Sequence, residues 1–198
     1  GGTTLRSATA ADAEGLRQMI TGLSPTSSYR RFLGSIAHRP SPRTLELMLR
    51  SDAERGAWLA VRGGRIIGHA SWAREGLRGA VELSVVVADP DQGCGYGRLL
   101  LARVAADAGR AGARHFMLVT SAENRRVIDI IDRRWPGAVP ERDLDGAGVR
   151  RESLPRRAGD PLRDAGNVEQ CRERVGVAGV ARERAGCGDG GRTRCTPK

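Results

Sequence analysis

Residues 85–100 read Val85-Val86-Val87-Ala88-Asp89-Pro90-Asp91-Gln92-Gly93-Cys94-Gly95-Tyr96-Gly97-Arg98-Leu99-Leu100. Three consecutive valines mark a strand buried on both faces, and Asp-Pro closes it. Glycines then occupy alternate positions 93, 95 and 97, and Leu99, Leu100, Leu101, Val104, Ala105 and Ala108 follow at helical spacing. Such a strand, turn and helix aim the free N–H groups of a helix start, with the positive end of its dipole, at whatever lies over the turn. Glycines let an anion approach that backbone closely. The chemistry that fits is a pyrophosphate cradle over Gly93 to Gly97. Cys94 reads as a small filler within it, because no histidine is identifiable to activate its thiol.

Residue order excludes two other phosphate binders. No Lys-Ser/Thr follows the last glycine, so the loop is not a P-loop, and a meander precedes it where a dinucleotide fold would open a βαβ half. Upstream, Ala57–Val61 and Ile66–Trp72 flank Gly63-Gly64 as a hairpin, and Ala80 to Val87 adds a strand beside it. Earlier still, Thr9 and Asp12 suggest a capping box before Leu16, Met19, Ile20 and Leu23. A second helix begins near Ser24-Pro25, with Tyr29 and Phe32 as its apolar face. Ser41-Pro42 starts a third, carrying Leu45, Met48 and Leu49. Downstream come a strand over His115–Thr120, a helix over Asn124–Trp135, and a weak strand pair between Gly137 and Leu154. The expected fold is α/β: a mixed, mostly antiparallel sheet flanked by helices, occupying residues 4–154.

Residues 155–198 contain no Phe, Trp, Tyr, Ile or Met. So few large apolar groups cannot offset the entropy of ordering a backbone, and a disordered basic tail is the expectation. The net charge of +10 is almost all arginine, since Lys198 is the only lysine, and it lacks the clustering with aromatics of a nucleic-acid surface. The spacings of Cys94, Cys171, Cys187 and Cys195 fit neither a paired zinc site nor a dense disulfide framework, and His38, His69 and His115 show no metal-type spacing. No metal is expected. Without a long apolar run or a basic-then-apolar start, the expectation is a soluble, cytoplasmic monomer or dimer with no membrane association.

Gln92-Gly93-Cys94-Gly95-Tyr96-Gly97 resembles the Q/R-x-x-G-x-G/A coenzyme A signature of the GNAT superfamily of acyltransferases. Glu123-Asn124-Arg125-Arg126 resembles that superfamily's second block. Leu23-Ser24-Pro25-Thr26-Ser27-Ser28-Tyr29-Arg30-Arg31-Phe32 resembles the LSxxSxYxRF segment of Pat-type members, which acetylate protein lysines.

The resemblance implies an N-acetyltransferase that uses acetyl-CoA as co-substrate and a primary amine, foremost a protein lysine, as acceptor. It further implies that Val85, Val86 and Val87 lend backbone groups to the thioester and pantetheine arm. Gln92, Gly93, Cys94, Gly95, Tyr96, Gly97 and Arg98 would form the pyrophosphate loop, Asn124 would contact the coenzyme, and Glu82 would be the catalytic carboxylate. Two positions depart from the pattern. Ile131 stands where many members have an acidic tyrosine, and Trp135-Pro136 replaces a Gly-Phe pair. The departures leave open a non-catalytic acyl-CoA-binding module, and a small-molecule amine is the alternative acceptor.

Overall fold

The computed structural model describes residues 2–32, 39–74, 80–121, 123–135, 139–142 and 147–153. The expected tail, 155–198, and His38 lie outside them. The elements are β1 (Thr3–Ser7), a 3-10 turn (Ala10–Asp12), α1 (Ala13–Thr21), α2 (Pro25–Phe32), α3 (Pro42–Leu49), β2 (Arg55–Arg62), β3 (Arg65–Arg74) and β4 (Ala80–Val87). After a second 3-10 turn (Asp89–Asp91) follow α4 (Tyr96–Arg110), β5 (His115–Ser121), α5 (Arg125–Arg134), β6 (Val139–Arg142) and β7 (Ala147–Ser153).

The strands form one seven-stranded sheet in the order β1-β2-β3-β4-β5-β7-β6. Every pairing is antiparallel except β4 with β5, which α4 connects. The mixed, mostly antiparallel sheet between helices is the architecture the sequence predicts. The β2–β3 turn has Gly63 and Gly64 at φ 56° and 77°, the left-handed pair that a two-residue hairpin of native twist requires.

Residues 56–60 and 66–70 are continuously buried because helices cover both sheet faces. On one face Leu16 and Ile20 of α1 and Leu45 and Leu49 of α3 join Ala57, Leu59 and Val86 in a single cluster. On the other, α4 lies so close that a Cβ at Gly68 would stand 2.8 Å from Leu100 Cδ1. Alternation along β2 then sends Trp58 toward α4, where the Arg103 guanidinium stacks 4.1 Å from its ring centre.

Two local expectations change. The N-terminus contributes β1, which the sequence reading missed: Leu5 is its only large apolar residue, and its partner strand lies some fifty residues on. Tyr29 is 57% exposed while Phe32 is buried, so the two do not share one apolar face. The Thr9–Asp12 capping box does form, but it opens the short 3-10 turn that leads into α1.

Candidate active site

β4 and β5 run parallel for three residue pairs, Ala80 with His115, Val81 with Phe116 and Glu82 with Met117, and then pairing stops. Both strands continue, to Val87 and Ser121, so they diverge into a wedge. On its other edge β4 stays paired with β3 as far as Val87. Peptide groups alternate in direction along a strand. Since Ala88 N–H bonds Ile67 of β3, Val86 points its peptide groups the same way, and those of Val85 and Val87 point into the wedge. Of the three valines, therefore, Val86 has its backbone committed to the sheet.

The glycine loop follows the end of β4 on the side where the strands have parted. Gly93 and Gly95 both have φ 81°, a left-handed conformation that side chains rarely adopt, and Gly95 is the residue that leads into α4. A Cβ at Gly95 would meet nothing within 4 Å, so its backbone faces open space. Tyr96 contributes backbone only: its ring is buried and its hydroxyl hydrogen-bonds Thr3 Oγ1 at 3.0 Å. Cys94 is half-buried and Arg98 exposed. The Arg126 guanidinium reaches over the loop, 3.6 Å from where a Gly93 Cβ would stand.

Gln92 works inside the fold. Its amide nitrogen donates to Val87 O and to Ser27 Oγ, each at 3.0 Å, joining loop, strand and α2. Asp89 completes the joint by accepting from Ser24 N–H at 2.9 Å, Ser24 Oγ at 2.8 Å and Ser27 Oγ at 2.6 Å. Burial pushes the Asp89 carboxyl upward, but the bonds from Ser27 and Ser24 outweigh it and hold the group below its ordinary value. Asp91 is fully buried in ion pairs with Arg62 and Arg65. Neither aspartate is free to act as a base.

Held at its N-terminus by Asp89, α2 carries Arg30, Arg31 and Phe32 to a cavity of about 290 Å³ in the wedge. Glu82 and Val85 of β4 face it, as do Thr120 of β5 and Asn124 at the start of α5. Arg31 donates to Ser84 Oγ at 3.0 Å, and Ser84 in turn contacts Ser71 Oγ at 2.8 Å. Burial draws the Arg31 pKa down, with the Glu82 charge opposing. Behind this group lies His69, fully buried, whose Nε2–H donates to Met48 O at 2.8 Å while Nδ1 has no partner. Burial first, and the Arg31 charge second, push its pKa down to about 4 against the pull of the Met48 carbonyl. His69 is a neutral structural residue; His115 is exposed on β5.

The structure thus brings Glu82, Val85 and Asn124 to one cavity, while Val87 and the glycine loop follow along the chain outside its lining, with Gln92 and Tyr96 side chains serving the framework. Arg31 and Thr120 went unassigned in the sequence reading: the pin between α2 and Asp89 brings the first to the cavity, and the register of β4 and β5 the second. Among the described residues no cluster of His, Cys, Asp or Glu could hold a metal ion, and no helix is long and apolar enough to cross a membrane.

Residues 24–134 match the model of the acetyltransferase (GNAT) family. Acetyltransferase PA5475 of Pseudomonas aeruginosa is 33% identical over 139 residues, 68% of this chain and 73% of that protein. The crystal structure of the GNAT domain of S. lividans PAT superposes with a TM-score of 0.70 at 27% identity, over 78% of this chain and 92% of that one. The PaiA N-acetyltransferase from Thermoplasma acidophilum, solved in complex with coenzyme A, shares the fold with a TM-score of 0.62 at 14% identity, over 78% and 100%.

Proposed function

The chain belongs to the acetyltransferase (GNAT) family, and on that premise we propose that it transfers an acetyl group from acetyl-CoA to a primary amine, foremost the side chain of a protein lysine. The observation that carries the reading is the wedge: a cavity lined by Val85 and the Glu82 carboxylate opens where β4 leaves β5, and a glycine loop at a helix start follows the end of the same strand. The donor set suits an acyl-CoA. Val85, and Val87 through its N–H, since its carbonyl is held by Gln92, offer strand-type partners to an extended arm bearing amides, and the loop offers N–H groups to a pyrophosphate. Asn124, buried at the wedge wall, would contact the arm. The resemblance of residues 23–32 to the Pat-type segment supports the lysine acceptor.

In the reaction the amine nitrogen attacks the thioester carbonyl carbon, the C–S bond breaks, and coenzyme A leaves as a thiolate. Peptide N–H groups of β4 would stabilise the charge that develops on the carbonyl oxygen. A lysine with a pKa near 10.4 is almost wholly protonated at neutral pH, so a base must remove a proton before attack. Glu82 takes that role, directly or through water. A thiol with a pKa of about 8.5 is a fair leaving group, so Ile131 in place of a tyrosine does not preclude turnover. The transferase occupies residues 4–154, and a chain ending at Leu154 should keep its activity.

The test is release of coenzyme A thiol with lysine peptides and small amines, comparing wild type with Glu82→Gln. Glutamine keeps size and hydrogen bonding but cannot accept the proton. Turnover should fall by roughly a hundredfold or more, with acetyl-CoA affinity similar and partial recovery at high pH. Near-normal turnover of the variant from pH 6 to 9 would remove Glu82 from the mechanism. No turnover by wild type with any amine would leave an acyl-CoA-binding module.

A further inference from the structure

Six buried side-chain polar atoms among the described residues lack a hydrogen-bond partner, and two of them belong to residues that line the wedge: Arg31 Nε and Thr120 Oγ1. Thr120 is the sharper case. It is 4% exposed and sits in the buried row of β5 with Phe116 and Leu118, where an apolar residue is the natural occupant. Valine has the same shape and would leave no hydroxyl unsatisfied. The last β4–β5 pair is Glu82 with Met117. Thr120 lies three residues past it on β5, as Val85 does on β4, so the two residues stand at the same level of the gap and line the same cavity. A buried donor without a partner, on the wall of a cleft and across from free backbone, is satisfied when something occupies the cleft.

We propose that Thr120 is a substrate-contacting residue whose hydroxyl donates a hydrogen bond to a carbonyl oxygen of the acylated pantetheine arm, completing from β5 the grip that Val85 and Val87 exert from β4. The proposal rests on the reading of the wedge as the acyl-CoA site. It separates binding from folding, because the hydroxyl serves the ligand and nothing within the protein.

The test compares wild type, Thr120→Val and Thr120→Ser by thermal melting without ligand and by calorimetry with acetyl-CoA. Thr120→Val should melt at or above wild type and bind acetyl-CoA up to about tenfold more weakly, the ratio set by one neutral hydrogen bond. Thr120→Ser, which keeps the hydroxyl, should bind within about twofold of wild type. If Thr120→Val melts lower than wild type, the hydroxyl has a partner within the fold and the proposal is overturned. Binding by Thr120→Val equal to wild type overturns it as well. Absence of acetyl-CoA binding by wild type would instead overturn the assignment of the wedge, a failure that the wild-type titration alone reveals.

Discussion

Mild acidification should destabilise this protein through His69. The imidazole is fully buried and its pKa is pushed down to about 4, whereas a free histidine titrates near 6.5. Between those values the unfolded chain binds a proton that the folded chain refuses. Stability is therefore complete above pH 6.5, falls as pH drops toward 4, and levels off below it. Each unit of difference is worth about 1.4 kcal/mol. The two titrations imply a loss of about 1.4 kcal/mol by pH 5.5 and about 2.5 kcal/mol by pH 4.5, a large part of a typical domain's stability. Urea melts at several pH values would measure it. A His69→Gln variant supplies the control, because an amide can still donate to Met48 O but does not titrate. Carboxylates such as Asp12 and Asp89, held below their ordinary values, lose protection at lower pH in both proteins. The difference between the two curves isolates the imidazole. A difference that stays flat from pH 7.5 to 4.5 would refute the argument, since it would mean that water or a rearrangement accommodates the cation.

Gly95→Val should weaken acetyl-CoA binding at least tenfold by calorimetry, because its branched side chain enters the space over the loop. The folded state should lose only about 1–2 kcal/mol from the left-handed backbone, as no atom lies within 4 Å to clash; unchanged affinity would remove the loop from the binding site. Gly56→Ala should cost about 2–4 kcal/mol in a urea melt. Its Cβ would stand 2.4 Å from Trp72 Nε1 and 2.6 Å from Asp107 Oδ2, prising apart their 2.9 Å hydrogen bond, and a loss below about 1 kcal/mol would show that β2 shifts freely.

The elements most legible in the sequence were those specified by local chemistry. Gly63-Gly64 dictates its hairpin, and the run from Val85 to Leu101 announces strand, anion loop and helix by composition alone. Positions that depend on distant partners were not legible. Leu5 gives β1 too little periodicity to register, and Tyr29 at helical spacing from Phe32 could not be told from a core residue. Glu82 and Asn124 were found through motif likeness, but the reason they share a cavity is the point where β4 and β5 part, a fact of register that no local pattern encodes. Thr120 was missed for the same reason, and Arg31 because only the distant Asp89 fixes where α2 ends. The role of Asp89 was illegible too, because its three donors come from residues more than sixty positions away.

The joint between Asp89 and the start of α2 bears on how this scaffold could diversify. One end of α2 is pinned to the turn beside the loop, and its other end forms a wall of the cavity, so the helix acts as a ruler between the two. Inserting or deleting one residue within it would rotate the wall by about 100° relative to the pin. Changes of acceptor preference in α2 are therefore expected to arise by substitution at fixed length, and a transplanted α2 should function only when Ser24 and Ser27 travel with it.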